Sequence, residues 1–477
     1  MSDLRSKTFS GLKWSAFNQF GTSLFAFVVG FVINNMLNPE DFGAFAVVMI
    51  FVAVSQTIVD SGFSMALVQS KTVKDIDYNS VFYLNLVIGL VMFVTLFFSS
   101  SYIADFYDNQ QISILIQCLS FNFLINSSSL VHYAKLTREL KFKTITQLNI
   151  SSAFISGVIA LIMAYSGFGI WSLVAQILIK SIIFSGTVWF VASWKPKLVF
   201  SLNSIKKLYT YGSKLMFSSL IDTVFANIYA NIFGKIYSFN QAGLYTQASK
   251  IDQFPNLFLS GIINSVFLPS LSSLQDDNEK LRDIYRKTIR LASFVSFPIA
   301  LGIGAVSKPL ILLVLNEKWA DAAPMLQILT LGGMLYSIHA LNLNLLKVKG
   351  RSDLFFKLEI IKKSLFVIAI LITFKIGIMA MIIAKVVLSY IGLFINTYYT
   401  GTLINYNTLN QLNDLKKSFV LALTMAVLSF SITLFFENNL IALLVASSFG
   451  GLFYIGTAYL FKFEEIKDIK DIIKNKK

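Results

Sequence analysis

Residues 209–270 read YTYGSKLMFSSLIDTVFANIYANIFGKIYSFNQAGLYTQASKIDQFPNLFLSGIINSVFLPS. Two long apolar segments, about 209–236 and 242–269, flank a short polar turn in this stretch. The beginning of the chain has the same pattern, with apolar residues 14–38 and 42–69 separated by another short turn. Apolar runs of this length predict helices that cross a membrane.

Sequence landmarks in these two regions recur at an interval of about 200 residues. The matching landmarks are Gly11-Leu12-Lys13 with Gly212-Ser213-Lys214, Gly43-Ala44-Phe45 with Gly243-Leu244-Tyr245, and Ser61-Gly62 with Ser260-Gly261. This interval is too long for a solenoid repeat and indicates a chain built as two related membrane halves. With six spans in each half, both halves enter the membrane from the same side. We therefore expect a parallel repeat with a pseudo-two-fold axis along the membrane normal.

The composition is that of an all-α polytopic membrane protein. The chain has 477 residues, of which 55% are hydrophobic and 14% charged, and its mean hydropathy is +0.68. Soluble domains carry about 25% charged residues. Strand alternation is absent, which favours helices over a barrel. The predicted transmembrane helices number fourteen, at about 14–37, 42–69, 78–100, 110–134, 144–165, 170–193, 209–236, 242–269, 288–312, 323–346, 355–374, 377–401, 417–436 and 439–461.

Basic residues fall almost entirely on one side of this topology. With the N-terminus inside, 33 of the 40 Lys and Arg lie in the tails and loops on the cytoplasmic side, and only four lie in the outside turns. This positive-inside bias predicts cytoplasmic N- and C-termini. It also explains the net charge of +15, for which anionic membrane lipids are the expected partner, with no nucleic acid.

The predicted domain organisation has three parts. An N-terminal six-helix lobe covers residues 1–205, a C-terminal six-helix lobe covers 206–402, and residues 403–477 form an appended helix pair with a basic cytoplasmic tail. Isoleucines at 466, 469, 472 and 473 share one helical face of that tail. Two interpretations remain open, a helix lying on the inner leaflet and a solvated tail.

The sequence offers little for catalysis. It has no Gly-x-x-x-x-Gly-Lys-Ser/Thr loop for ATP, only two histidines, and a single cysteine. No nucleophile–base arrangement is evident, and every loop is too short to fold by itself. We therefore expect a transporter rather than an enzyme, without a cofactor or metal, and leave open whether H⁺ or Na⁺ drives it.

Three lysines within predicted spans are the main candidates for a substrate cavity. Lys180, Lys250 and Lys385 each lie roughly 10–17 Å below the outer end of their helix, counting about 1.5 Å per residue. A charge at this depth is costly unless it faces a water-filled cavity or a partner. Cations at one depth suit a cavity that accepts an anion. The alternative is that each lysine pairs with a carboxylate or reaches outward to the interface.

Acidic and amide side chains complete the candidate set. The acidic residues within spans, which are candidates for ion coupling, are Asp60, Asp222 and Asp252. The polar residues assigned to the substrate cavity are Asn18, Gln56, Asn227, Tyr229 and Asn231. Amides both donate and accept, so they suit sugar hydroxyls. For each of them, hydrogen bonding between helices is the alternative.

Several loop and helix-end motifs point to one family. They are Leu37-Asn38-Pro39-Glu40-Asp41-Phe42-Gly43, Arg138-Glu139-Leu140-Lys141-Phe142-Lys143, Ala242-Gly243-Leu244-Tyr245, Tyr285-Arg286-Lys287-Thr288, Phe297-Pro298, Lys308-Pro309 and Asn316-Glu317-Lys318-Trp319-Ala320-Asp321-Ala322-Ala323-Pro324-Met325-Leu326. Over about residues 5–400 the chain resembles the polysaccharide-export branch of the multidrug/oligosaccharidyl-lipid/polysaccharide exporter superfamily.

This resemblance implies a flippase of the bacterial inner (cytoplasmic) membrane. Such proteins turn undecaprenyl-pyrophosphate-linked oligosaccharides from the inner to the outer leaflet for O-antigen, capsule or exopolysaccharide, by alternating access of two six-helix lobes without ATP hydrolysis. A polysaccharide polymerase and a chain-length regulator are candidate partners, and a monomer is expected. One departure concerns coupling. Related sequences often carry an acidic residue shortly before the glycine that ends the seventh helix, whereas Tyr229 stands near that place, before Gly234.

Two alternatives belong to other functional classes. A drug/ion antiporter of the same fold would require a cavity dominated by carboxylates for cationic drugs. A membrane glycosyltransferase, polymerase or ligase is disfavoured, because the chain has neither a large outside loop nor clustered carboxylates and histidines.

Overall fold

The computed structural model describes residues 2–60, 62–262, 271 and 274–474. The predicted span 242–269 and the landmark at Ser61 therefore lie partly outside the described residues. The helices are α1 Ser2–Met36, α2 Pro39–Asp60, α3 Phe63–Gln69, α4 Asp75–Phe106, α5 Gln110–Ser127, α6 Leu130–Arg138, α7 Phe142–Tyr165, α8 Trp171–Val191, α9 Leu202–Ile236, α10 Phe239–Ile262, α11 Asn278–Ala305, α12 Ser307–Val314, α13 Ala322–Gly333, α14 Tyr336–Val348, α15 Ser352–Thr373, α16 Ile378–Ile404, α17 Thr408–Thr433, α18 Asn439–Leu460 and α19 Glu464–Lys474.

In the part of the chain that the structure describes, each of the fourteen predicted spans falls mainly on helices, and the protein is a multi-pass membrane protein. Within the described ranges, ten helices, with α13 and α14 taken as one, are long and apolar enough to cross a membrane. The number is eleven if α5 and α6, which meet at a bend of 42°, form one span. The predicted spans on α1, α10 and α15 do not reach that standard. Lys250 and Asp252 interrupt α10, four charged residues between 357 and 363 interrupt α15, and the described apolar part of α1 is only Gly21–Met36.

Short polar side chains mark several helix starts. The side chain of Ser201 accepts a hydrogen bond from the backbone N–H of Ser204 at the start of α9, and Asn438 does the same for Leu440 and Ile441 at the start of α18. Such caps satisfy backbone N–H groups that have no partner in the first helical turn. They allow helices to end sharply, so the connections between spans stay short.

The chain forms two compact units, Met1–Gly243 and Leu244–Lys477. This division differs from the predicted lobe boundary at 205/206, because α9 packs extensively against α2 within the first unit. The predicted appended pair is likewise part of the second unit. Helix α17 packs along α11, and α18 packs on α17.

The second unit has a continuous apolar core around α11. Its fully buried members include Leu281, Tyr285 and Ile289 on α11, together with Leu341 and Leu345 on α14. Burial of such side chains contributes about 1.5–3 kcal/mol each in water-soluble cores. Inside a membrane, shape-matched packing provides more of the stabilisation than exclusion of water does.

The first unit contains a reciprocal contact between the starts of α2 and α10. A Cβ atom added to Gly43 would lie 1.7 Å from the carbonyl oxygen of Phe239, and one added to Gly243 would lie 1.9 Å from that of Pro39. These four residues are matched by the 200-residue interval seen in the sequence. Backbone meets backbone at this point, so only glycine fits.

Helix α2 also lies antiparallel against α9 over most of its length. The Oγ1 atoms of Thr57 and Thr223 are 3.2 Å apart, and a Cβ atom on Gly234 would lie 2.4 Å from Val47. At the other end, Gly62 has a φ of +66°, and a Cβ atom there would lie 2.3 Å from the carbonyl oxygen of Gly212. Small residues let membrane helices approach this closely.

Helix α19 is docked on α11. Arg290 donates to Glu464 and, from Nε, to Glu465 at 3.1 Å, while the Lys287 ammonium lies 2.7 Å from Asp468. Ile466 and Ile469 pack against the core of the second unit. Two of the isoleucines and three of the acids of the tail thus contact protein, which neither sequence interpretation included, while the side chains of Ile472 and Ile473 lie outside the described residues.

We predict that Gly43→Ala and Gly243→Ala each destabilise the protein by more than the roughly 1–3 kcal/mol typical of overpacking. The added methyl group would overlap a backbone carbonyl that no rotamer change can move. The matched controls are Gly30→Ala and Gly451→Ala, where nothing lies within 4 Å of the new Cβ atom. These controls should be neutral or gain about 0.5–1 kcal/mol. Thermal stability of the purified variants in detergent provides the measurement, and equal melting temperatures in all four would contradict the assignment.

We also predict that Arg290→Gln releases α19. The change strands the buried Glu465 and costs roughly 3 kcal/mol of docking, so amide hydrogen exchange across residues 464–474 should accelerate about a hundredfold. Arg351→Gln breaks the exposed pair with Asp353 and should leave that exchange unchanged. The hydrogen bond from Arg290 lowers the pKa of Glu464 below its ordinary value of 4.5. The bond between Arg290 and Glu464 therefore stabilises the docked position of α19 fully at neutral pH. This stabilisation is lost as the pH falls below 4.5 and Glu464 becomes protonated.

Candidate functional site

A polar cavity of about 400 Å³ lies inside the first unit, between α2, α5, α7 and α8. Its polar lining consists of Gln56, Asn122, Asn126, Asn149, Lys180 and Ser181. Five of these six side chains are neutral and one is a cation. A membrane-embedded cavity with this lining offers hydrogen-bond donors, acceptors and one positive charge, and no carboxylate is among its lining residues.

Hydrogen bonds link most of this lining into a chain. Gln56 Oε1 accepts from Asn126 at 3.2 Å and from Asn122 at 3.4 Å, and its amide nitrogen donates to Asp60 at 3.0 Å. Ser181 Oγ donates to Asn122 Oδ1 at 2.6 Å. The chain fixes the orientation of each amide, and therefore which groups it presents to the cavity.

Lys180 is the cation of this cavity. It lies on α8 next to Ser181, and its side chain is exposed to the open space. No carboxylate forms an ion pair with it in the part of the chain that the structure describes. A lysine without a carboxylate at this depth is suited to an anionic or strongly hydrogen-bonding ligand.

The structure thus brings together two of the predicted cavity residues, Gln56 and Lys180, and adds four that the sequence analysis missed. Asn122 and Asn126 lie one helical turn apart on α5, which is a spacing that places both amides on one face. This spacing, and the polar residue Ser181 next to Lys180, could have indicated from the sequence that these residues line a polar cavity. Asn149 on α7 had no comparable pattern around it.

The candidate acids of the first unit differ in their positions. Asp60 accepts the hydrogen bond from Gln56 and also lines a second, mostly apolar cavity of about 340 Å³ with Met65, Val68 and Leu215. Asp222 on α9 is exposed and lines neither cavity. Coupling of an ion to either carboxylate stays a prediction.

The remaining predicted polar residues of the first unit lie outside the polar cavity. Asn231 accepts from the Tyr107 hydroxyl at 3.0 Å and donates to the Asn227 carbonyl, and Asn227 donates to the Thr223 carbonyl. Tyr229 is buried and packs edge-on against Phe233. Asn18 on α1 is half-buried and does not line the polar cavity. A sugar-binding role for Asn18, Asn227, Tyr229 and Asn231 stays a prediction.

Lys385 and Asp252 form the main polar cluster among the candidates in the second unit. The Lys385 ammonium donates to the Tyr245 hydroxyl at 2.8 Å and lies 5.3 Å from the centre of the same ring. The carboxylate of Asp252 attracts this ammonium. A Cβ atom on Gly333 would lie 2.1 Å from Asp252 Oδ1, so the absence of a side chain on α13 leaves room for the carboxylate.

Lys250 also belongs to the second unit. It lies two residues before Asp252 on α10, and its side chain is exposed. The three candidate lysines thus have different surroundings: a neutral amide cavity for Lys180, a tyrosine and a carboxylate for Lys385, and an exposed position for Lys250. A single cavity shared by all three stays a prediction.

The comparison with protein families assigns the chain. A family model described as "Polysaccharide biosynthesis protein" matches residues 32–324, which is more than half of the sequence. The chain belongs to this polysaccharide biosynthesis family.

Individual relatives agree with this assignment. The chain is 28% identical to the lipopolysaccharide biosynthesis protein WzxC of Escherichia coli (strain K12), over 77% of this chain and 75% of that protein. It is 24% identical to the teichuronic acid biosynthesis protein TuaB of Bacillus subtilis (strain 168), over 92% of this chain and 91% of that protein. The solved structure of the lipid II flippase MurJ in its inward closed conformation is similar in fold, with a TM-score of 0.70 at 17% identity, covering 93% of this chain and 98% of that one.

Membership in the polysaccharide biosynthesis family confirms the resemblance found in the sequence. The fold similarity to MurJ agrees with the polysaccharide-export branch that the sequence motifs resemble. The family assignment does not by itself give a role to any residue. Those roles depend on the geometry of the two units.

We predict that substitution of Lys385, but not of Lys180, lowers the amount of folded protein. Lys385→Gln removes the cation that faces Asp252 and should lower membrane abundance, because an unpaired buried charge costs roughly 3–5 kcal/mol. The double variant with Asp252→Asn should restore abundance. Lys180→Gln should leave abundance unchanged, as should the control Lys375→Gln in an exposed turn. Quantitative immunoblotting of membranes is the measurement, and equal abundance of the Lys385 and Lys180 variants would contradict the distinction.

Proposed function

We propose that this protein is a flippase for a lipid-linked oligosaccharide in the bacterial inner (cytoplasmic) membrane. The substrate is an undecaprenyl-pyrophosphate-linked repeat unit of O-antigen, capsule or exopolysaccharide, moved from the inner to the outer leaflet. The observation that carries this proposal is the cavity of Gln56, Asn122, Asn126 and Lys180, which combines neutral amides with one cation and lies within a polysaccharide biosynthesis protein.

The chemistry of that cavity matches the substrate in two ways. Sugar hydroxyls both donate and accept hydrogen bonds, as amide side chains do. A pyrophosphate is an anion, for which an ammonium that has no carboxylate partner provides electrostatic attraction. Similarity to WzxC and TuaB, both named for the biosynthesis of surface polymers, and to the lipid II flippase MurJ supports the same substrate class.

The proposed mechanism is alternating access without ATP hydrolysis. The half-buried residues Lys385 and Asp252 of the second unit are the candidates for coupling to H⁺ or Na⁺, because the carboxylate of Asp252 is held in a notch opposite Gly333. Tyr229, near the place where related sequences often carry an acid, is buried and supplies no carboxylate. The protein acts as a monomer in this proposal, and a polysaccharide polymerase and a chain-length regulator act on the product.

The main alternative is a drug/ion antiporter of the same fold. Cationic drugs favour a cavity dominated by carboxylates, whereas the carboxylate nearest the polar cavity, Asp60, already accepts a hydrogen bond from Gln56. The observed lining therefore favours the oligosaccharide substrate.

Deletion of the gene provides the decisive experiment. We expect loss of one surface glycan together with accumulation of its lipid-linked repeat unit on the cytoplasmic side. Wild-type protein, but not Asn126→Leu or Lys180→Gln, should restore export, and Lys180→Arg should restore part of it because it keeps the charge. Gln110→Leu removes an exposed amide from the same helix as Asn126 and is the matched control.

Two further measurements make this experiment specific. Membrane abundance of each variant must equal that of the wild type for a loss of export to count. Purified protein in proteoliposomes should move a fluorescent lipid-linked oligosaccharide without ATP. An unchanged surface glycan after deletion, combined with hypersensitivity to cationic drugs, would replace the flippase by the antiporter.

A further inference from the structure

A basic groove of about 400 Å³ lies at the junction of α18 and α19. Lys462, Lys467 and Lys470 line it, together with Tyr459 and Glu464. All three lysines are exposed, and none of them forms an ion pair with a carboxylate among the described residues. Its one acidic residue, Glu464, accepts from Arg290. The groove therefore presents a net positive charge.

The docking of α19 produces this distribution of charge. Glu464, Glu465 and Asp468 pair with basic residues of α11, so three of the four acids of the helix are engaged by the protein, and the fourth, Asp471, does not line the groove. Lys467 and Lys470 are left on the groove side. Lys462 joins them because it has a left-handed backbone with a φ of +51°, which turns the chain sharply from α18 into α19. Non-glycine residues rarely adopt this conformation.

An apolar stripe leads along α18 to the same groove. Leu452, Ile455 and Tyr459 follow helical spacing, and their side chains are 76%, 63% and 63% exposed. Helix α18 is long and apolar enough to cross the membrane, so this stripe faces acyl chains. The Lys470 ammonium lies 5.0 Å from the centre of the Tyr459 ring, where the stripe meets the groove. The polar end of a membrane helix is where lipid headgroups lie.

We propose that this groove binds the headgroup of an anionic phospholipid of the bilayer, with one acyl chain along Leu452 and Ile455. Three lysines attract the phosphate and any further negative charge of the headgroup, while the stripe provides the apolar contact. Phosphate chemistry is shared with free phosphate and pyrophosphate, but the continuous apolar stripe favours a lipid. The site is distinct from the polar cavity of the first unit and does not depend on the direction of transport.

Lipid binding to the purified full-length protein tests the proposal. Native mass spectrometry should show retention of phosphatidylglycerol but not phosphatidylcholine, because only the former carries a net negative charge. The variant K462Q/K467Q/K470Q should bind phosphatidylglycerol at least about tenfold more weakly. The control K195Q/K197Q/K206Q removes three exposed lysines from the α8–α9 region and should bind as the wild type does. Matching melting temperatures would establish that both variants are folded.

Three outcomes would overturn the proposal. Equal retention of phosphatidylcholine would mean that the groove is merely an apolar surface. Unchanged binding of phosphatidylglycerol by the triple variant would mean that the lysines do not bind the headgroup. Displacement of the lipid by millimolar inorganic phosphate or pyrophosphate, with no effect of Ile455→Ser, would mean that the site binds a free anion. If the triple variant does not fold, K467Q and K470Q as single changes should each weaken binding severalfold.

Discussion

The close approach of two backbones is the constraint on which the first unit depends. At Gly43 and Gly243 a single methyl group would overlap a carbonyl oxygen, and Gly62 meets Gly212 in the same way at the far end of α2. These contacts fix which side of α2 faces α9 and the start of α10. The residues Met49, Val52, Ala53 and Gln56 then follow helical spacing on another side and line the polar cavity. The glycines thus orient the cavity residues without touching the cavity.

The candidate lysines of the two units have different electrostatic surroundings. In the first, one lysine stands beside neutral amides that are already hydrogen-bonded to one another. In the second, Lys385 is surrounded by a tyrosine hydroxyl and a carboxylate. A cation without a carboxylate is electrostatically suited to an anionic ligand, whereas a carboxylate near a cation competes with such a ligand. Lysines that the sequence places at a similar depth therefore have different chemical surroundings in the fold.

Much of the helical framework could be predicted from the sequence, because apolar runs and the positions of basic residues report directly on the membrane. The site was only partly predictable. Gln56 and Lys180 were identified by depth and polarity, but Asn122 resembles any amide in a membrane helix until its contacts are known. The neighbour of Lys385 could not be foreseen, since Asp252 is more than 130 positions away along the chain. The docking of α19 was missed for the same reason, because its basic partners lie on α11.

Helices that meet through glycine residues can separate more easily than helices whose side chains interdigitate. A glycine presents almost no apolar side-chain area, and dispersion energy grows with the number of atoms in contact. At their starts, α2 and α10 are therefore held close by shape while little side-chain area joins them, because the atoms nearest to Gly43 and Gly243 belong to the backbone of the other helix. Separating two such surfaces requires no rotamer changes and leaves few unsatisfied groups. The tightest contact described in the first unit is thus also one that can open with little internal rearrangement.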